Sequence, residues 1–231
     1  MRANRAKELE NRVEELIQGF DGFLEVFLQE PPFKKEGQLD YHVKTIQMLN
    51  KLGGAESALK SPDFMSLLWR TLQAWGIGSR SSRIVSLPEF INAFLPWHDR
   101  IINLERVQLD QVQDTEEVLA DLWQLIQGLA IVSNDTRMVP CTKALHHLLP
   151  NLVVPMDRKY TQAFLLRYNP EFQYGQKSIY SMAFHIFVKI AQEANPRSFV
   201  GHGWNTSPTK VIDNGIVGYC IAKGIQGEKV R

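Results

Sequence analysis

Apolar residues recur at three- and four-residue intervals along most of the chain, beginning with Val13, Leu16, Ile17, Phe20, Phe23, Leu24, Phe27 and Leu28. That is the period of one face of an α-helix, and it predicts a helix over about residues 4–29, softened at Gly19 and Gly22 and stopped by Pro31-Pro32. A second helix is expected over 38–51, closed by Gly53-Gly54. Ser61-Pro62-Asp63 then places an N-cap, a first-turn proline and a first-turn acid in order, launching a helix through Trp75 that stops at Gly76. Ser86-Leu87-Pro88-Glu89 fits a capping box, with a kink to follow near Pro96. Asp114-Thr115-Glu116-Glu117 opens a helix carrying Val118, Leu119, Leu122, Trp123, Leu125, Ile126, Leu129 and Ala130, an apolar face so wide that the helix must be largely buried. Further helices are expected over 140–149, 158–168, 178–194 and 207–223, the last launched by Thr206-Ser207-Pro208.

No segment alternates apolar and polar residues as a half-buried strand would, and no 20–50-residue repeat is visible. The expectation is an all-α, compact multi-helix domain spanning 1–231, with a seam between two lobes near 76–85, where Gly76-Ile77-Gly78-Ser79-Arg80-Ser81-Ser82 interrupts the pattern.

Composition adds mainly exclusions. With 231 residues, 44% hydrophobic and 22% charged, the chain can bury a sizeable core. Its 26 basic and 25 acidic residues leave a net charge of +1, so attraction to a polyanion would need a local patch. Cys141 and Cys220 are far apart and lack CxxC or Cys/His spacing, which argues against a zinc site or disulfide framework and for a reducing compartment. The charged start MRANRAKELENRVEELI has no apolar signal core, and no apolar run approaches the roughly 20 residues of a membrane span, so a cytoplasmic protein without membrane association is expected. Walker A, GxGxxG, HExxH, GxSxG and EF-hand spacings are absent, and no metal or cofactor is expected.

The stretch KALHHLLPNLVVPMDRKYT, 143–161, is densest in chemistry. On a helix over 140–149, Cys141, Leu145, Leu148 and Leu149 fall on one side and Lys143, His146 and His147 on the other. This polar face is expected either to meet water or to line a site. Pro150 and Pro155 bound an apolar connector that cannot be helical at Val154, and it delivers Asp157 to the N-cap of the helix 158–168, a role worth about 1 kcal/mol. The same geometry can set a carboxylate against a lysine from the preceding helix, as an acid/base or nucleophile pair would require. Around it Arg137, Lys143, Arg158, Lys159 and Arg167 face only Asp135 and Asp157, a surface suited to an anion.

Helix, Pro-bounded connector, Asp157, then helix resembles the C-terminal part of the helix-hairpin-helix DNA glycosylases, over about residues 125–168. The resemblance implies an all-α two-lobed core, a DNA partner, Lys143 as the lysine that attacks the sugar and Asp157 as its supporting aspartate. The chain departs from the family at Met138-Val139-Pro140-Cys141, where a Gly-x-Gly turn would bind a phosphate; Pro140 removes an amide donor there. The interval from Lys143 to Asp157 is also short for the family.

Two other stretches offer ligand contacts. In Trp204-Asn205-Thr206-Ser207-Pro208-Thr209-Lys210, Lys210 sits in a first helical turn, against the positive end of the dipole, where it could hold an anion with Asn205 and Thr206. A surface pair with Asp213 is the expected reading. His202, between Gly201 and Gly203, is expected to be solvated. Trp75 and Arg80 could stack on and pair with a nucleotide or base, although a tryptophan ending a helix is usually core. Three functions follow as expectations. They are a nucleic-acid or small-anion binding protein, a DNA glycosylase/lyase using Lys143 and Asp157, and a protein-interaction module working through the N-terminal helices.

Overall fold

The computed structural model describes residues 2–78, 83–167 and 169–225, and it is all-α. β structure among these residues is confined to one antiparallel bridge between Ile84 and Val132. The expected 4–29 helix is divided at Gly19 into α1 (Arg2–Gln18) and α2 (Phe20–Gln29), whereas Gly22 continues the helix. A glycine costs roughly 1 kcal/mol relative to alanine in a helix interior, so Gly19 is a natural place for the axis to turn. Next come α3 (Gln38–Leu52), closed by Gly53 in the left-handed region at φ 81°, and α4 (Ala55–Lys60), which the hydrophobic pattern did not signal. In α5 (Pro62–Ala74) the Ser61 hydroxyl accepts the Phe64 amide at 3.2 Å, as the cap-plus-proline spacing predicts.

The capping box holds α6 (Leu87–Phe94) at its start, where the Glu89 carboxylate accepts both the Ser86 amide at 3.0 Å and the Ser86 hydroxyl at 2.7 Å. Pro96 breaks the helix there, and a 3₁₀ turn, Leu95–Trp97, leads into α7 (His98–Glu105). Asp114 caps α8 (Thr115–Gly128) by accepting the Glu117 amide at 3.0 Å, and Leu119, Leu122, Leu125 and Ile126 are buried. After α9 (Met138–His146) comes a correction: the helix expected over 158–168 is only α10 (Thr161–Phe164). Asp157 does accept the Lys159 and Tyr160 amides, at 2.7 and 2.6 Å, but these bonds close a turn ahead of the helix. The chain continues through α11 (Asn169–Tyr174), α12 (Gln176–Glu193) and α13 (Pro208–Ala222).

The centre of the fold is α13, every residue of which from Thr209 to Cys220 is buried. It lies against α2 closely enough that a Cβ on Gly218 would fall 1.8 Å from the Phe23 carbonyl oxygen. Buried apolar side chains from α1 to α13 form one continuous cluster around this contact. A helix surrounded by protein cannot solvate its polar residues, so those of α13 must find partners inside. No helix among the described residues is long and apolar enough to cross a membrane.

Candidate functional site

A small cavity opens where α3, the end of α5, α9, the Pro155–Asp157 connector and the start of α13 meet. Phe33, Trp75 and Trp204 supply aromatic walls, and Lys143, Asp157, Lys210 and Asp213 supply its charges. The two sequence-predicted catalytic candidates are therefore brought together. Lys143 and Asp157 are aligned by a bond between their chain neighbours, the Met156 amide donating to the Thr142 hydroxyl at 3.2 Å. Asp157 has one carboxylate oxygen used by the turn amides, while no hydrogen bond from the described residues reaches its other oxygen. Lys143 donates to the Trp75 carbonyl at 3.2 Å and lies 5.7 Å from the centre of that indole. Burial pushes the Lys143 ammonium below the ordinary lysine value, partly offset by the Asp157 and Asp213 carboxylates.

Lys210 is not the surface residue that its spacing to Asp213 suggested. It is 1% exposed and bonded at 2.6 Å to Asp213 Oδ2 and at 2.6 Å to Asn214 Oδ1. The helix dipole argument assumed a solvated first turn; here the turn is enclosed, and the ammonium is held by side chains and by rings. Its Nζ lies 5.1–5.8 Å from the centres of Trp204, Phe33, Phe27 and Trp75. The Asn214 amide is itself fixed, donating to the Trp204 carbonyl at 3.1 Å and to Asn205 Oδ1 at 2.8 Å. Burial raises the Asp213 carboxyl, and Lys210 opposes that rise.

Comparison with protein-family models, curated proteins and solved structures finds no match to this chain. The site therefore stands on its own geometry.

The histidines correct a second expectation. His146 and His147 lie on the polar side of the helical wheel, yet both are fully buried, because α3 and α13 cover that side of α9. The His147 Nδ1 faces the Lys143 carbonyl at 2.8 Å, which can only accept, so Nδ1 carries the proton and Nε2 is bare. His42 Nδ1 must then donate to His147 Nε2 at 3.0 Å, and His42 Nε2 accepts the Thr206 hydroxyl at 2.7 Å. By the same logic His146 Nδ1 donates to the Val153 carbonyl at 3.0 Å, leaving its buried Nε2 without a partner among the described residues. Burial holds all three below the ordinary imidazole value, His147 at about 4. They form a neutral buttress behind Trp75 and Lys143, with His147 edge-on to the Trp75 indole at 4.8 Å, and none lines the cavity.

Outside the inner cavity a wider cleft shares Phe33, Gln38, Trp75, Lys143 and Asp157 with it and adds Lys35, Arg158 and Lys159. Among the described residues of that lining, Asp157 is the one acid. Asn205 and Thr206 do not line the cavity; they brace Asn214 and His42. His202 is exposed, as expected. Arg80 lies outside the described residues. Phe33, Gln38 and Asp213 line the cavity without having been singled out as ligand contacts. Only Asp213 carried a signal, its three-residue spacing from Lys210, and it was read as a surface pair. No group of three or more metal-ligating His, Cys, Asp or Glu side chains occurs among the described residues.

Proposed function

We propose that the protein is a DNA glycosylase/lyase that takes a base swung out of the helix into its inner cavity and attacks the sugar with Lys143. One observation carries this reading: Lys143, depressed in basicity by burial, faces the same aromatic-walled cavity as a carboxylate oxygen of Asp157 that has no hydrogen-bond partner among the described residues. An amine in its neutral form is a nucleophile, and a nearby carboxylate can accept the proton that the amine sheds on attack. The cavity rings offer stacking partners for a planar base, worth about 1–3 kcal/mol each. The outer cleft, with Lys35, Arg158 and Lys159 against a single acid, suits the phosphates on either side.

The chemistry balances at three atoms. Lys143 Nζ forms a bond to the sugar C1′ as the C1′–N bond to the base breaks, and the base keeps that electron pair. The attacking nitrogen passes a proton to Asp157. The C1′–O4′ bond then breaks as the Nζ lone pair forms the C1′=Nζ bond, the electron pair goes to O4′, and O4′ takes the proton left on Nζ; borohydride reduces the resulting Schiff base to a stable adduct. The test is trapping on DNA carrying a preformed abasic site. Wild-type protein should give a covalent adduct and Lys143→Ala none; no adduct with wild-type protein overturns the proposal.

A further inference from the structure

Lys210 plays no part in the attack at C1′, yet it is the second cation of the same cavity. An ammonium has three N–H donors. Two go to Asp213 and Asn214, and no acceptor among the described residues takes the third. This donor belongs to a side chain that is 1% exposed and lines the cavity. The Lys210 and Lys143 nitrogens both approach the Trp75 indole, at 5.8 and 5.7 Å, so a flat molecule held against that ring lies within reach of each. Lys210 is also immobile, because Asn214 is anchored to Asn205 and to the Trp204 backbone. Burying a cation this completely is costly unless it serves a partner, and a polar group that is fixed in advance acts on a reacting charge without reorganising.

We infer that Lys210 is the leaving-group cation of the reaction, receiving on its third N–H the negative charge that develops on the departing base. The inference rests on the glycosylase reading and deepens it, since the base released is then one that leaves as an anion: a neutral lactam such as uracil, hypoxanthine or an oxidised guanine. When the C1′–N bond breaks, the electron pair goes to the base, whose anion pairs with Lys210. The proton that Lys143 gave to Asp157 then neutralises the base, and Lys210 keeps its own. Asp213 and Asn214 act through Lys210, holding its nitrogen in place.

The decisive experiment separates base release from the later lyase step. Duplexes carrying uracil, hypoxanthine or an oxidised guanine report base release, and a duplex with a preformed abasic site, from which no base leaves, reports attack by Lys143. Lys210→Met should slow excision of the released base on the order of a hundredfold more than it slows borohydride trapping on the abasic duplex, that factor being the usual effect of deleting one such donor. Because Lys210→Met leaves Asp213 buried without its partner, Lys210→Gln with Asp213→Asn is tested alongside; it keeps the neutral hydrogen bonds and removes the charge. Undiminished excision by both variants overturns the inference. So does parallel loss of excision and trapping in a variant with wild-type circular dichroism, or a wild-type protein that traps abasic DNA but releases none of the three bases. Absence of any wild-type adduct sinks the glycosylase reading itself.

Discussion

The Met156 amide donates to the Thr142 hydroxyl at 3.2 Å, and this one bond joins the residue before Asp157 to the residue before Lys143. Both partners are buried, so the bond sets the spacing of the carboxylate and the amine with no competition from water. Thr142→Val keeps the shape and removes the acceptor. It should cost about 1–3 kcal/mol by leaving the Met156 amide unsatisfied, and it should reduce trapping on abasic DNA about tenfold or more through misplacement of Asp157. Chemical denaturation and trapping rate measure the two effects; a variant as stable and as active as wild type would show that the alignment comes from elsewhere.

Asp157 has two duties that one substitution separates. Asp157→Asn retains an oxygen for the Lys159 and Tyr160 amides, so stability should change by less than about 1 kcal/mol. The proton acceptor is lost, and trapping should fall on the order of a hundredfold. Asp157 also raises the Lys143 value against the lowering effect of burial. Its neutralisation should therefore move the rising limb of the trapping profile, where Lys143 loses its proton, to lower pH. An unchanged profile would show that the two groups do not communicate.

The buried histidines predict how stability depends on pH. His42, His146 and His147 are held below the ordinary value of 6.5, burial being the main cause in each. A group kept neutral in the fold takes up a proton more readily when unfolded. Its contribution is complete above the unfolded value and is lost as pH falls through the folded one. For His147, with a folded value of about 4, the loss approaches roughly 3 kcal/mol between pH 6.5 and 4. The urea midpoint should be level above pH 7 and fall steadily from pH 6.5 to 5, before most carboxylates titrate. A midpoint that is flat or rising across that interval contradicts neutral burial.

Two glycines in helices should respond oppositely to alanine. At Gly218 the added Cβ would lie 1.8 Å from the Phe23 carbonyl oxygen, a backbone atom, so α13 and α2 must separate. Gly218→Ala should cost at least about 2 kcal/mol. At Gly22 nothing lies within 4 Å, and Gly22→Ala should be neutral or stabilising by up to about 1 kcal/mol. Thermal melts of the pair decide it, and equal melting temperatures would refute the close packing of the two helices.

The cleft rim predicts a salt effect. Replacing Lys35 and Lys159 with alanine should weaken binding to duplex DNA irrespective of sequence and make the logarithmic salt dependence shallower, by about one per phosphate contact removed. Wild-type slopes in both variants would place the DNA on another face.

Much of the architecture was legible in the chain because its determinants are local. Ser61-Pro62-Asp63, Ser86 with Glu89, and Asp114 with Glu117 signal helix starts through bonds spanning only three residues, and the structure contains each of them. The 3.6-residue period exposed the apolar stripes, and the Pro-bounded connector marked Asp157. Residues 158–168 misled because Asp157 can close a turn as readily as it can cap a helix, and the choice depends on what the next residues pack against.

Burial was not legible, because a helical wheel gives a residue's direction and says nothing of what lies there. Lys143, His146 and His147 share a polar face in any helix over this stretch; that α3 and α13 cover it depends on contacts more than 60 residues apart in sequence, such as His42 with His147 and His146 with Thr209. Lys210 and Asp213 have the spacing of a surface pair, and only the enclosure of α13 turns them into a buried ion pair within a ring of aromatic side chains. The sequence by itself determined most of the long helices and where the capped ones start, and that Lys143 and Asp157 would lie on neighbouring elements. The tertiary structure alone decided that they share a cavity and which residues wall it, because desolvation and convergence are properties of the packed molecule and not of a local run of residues.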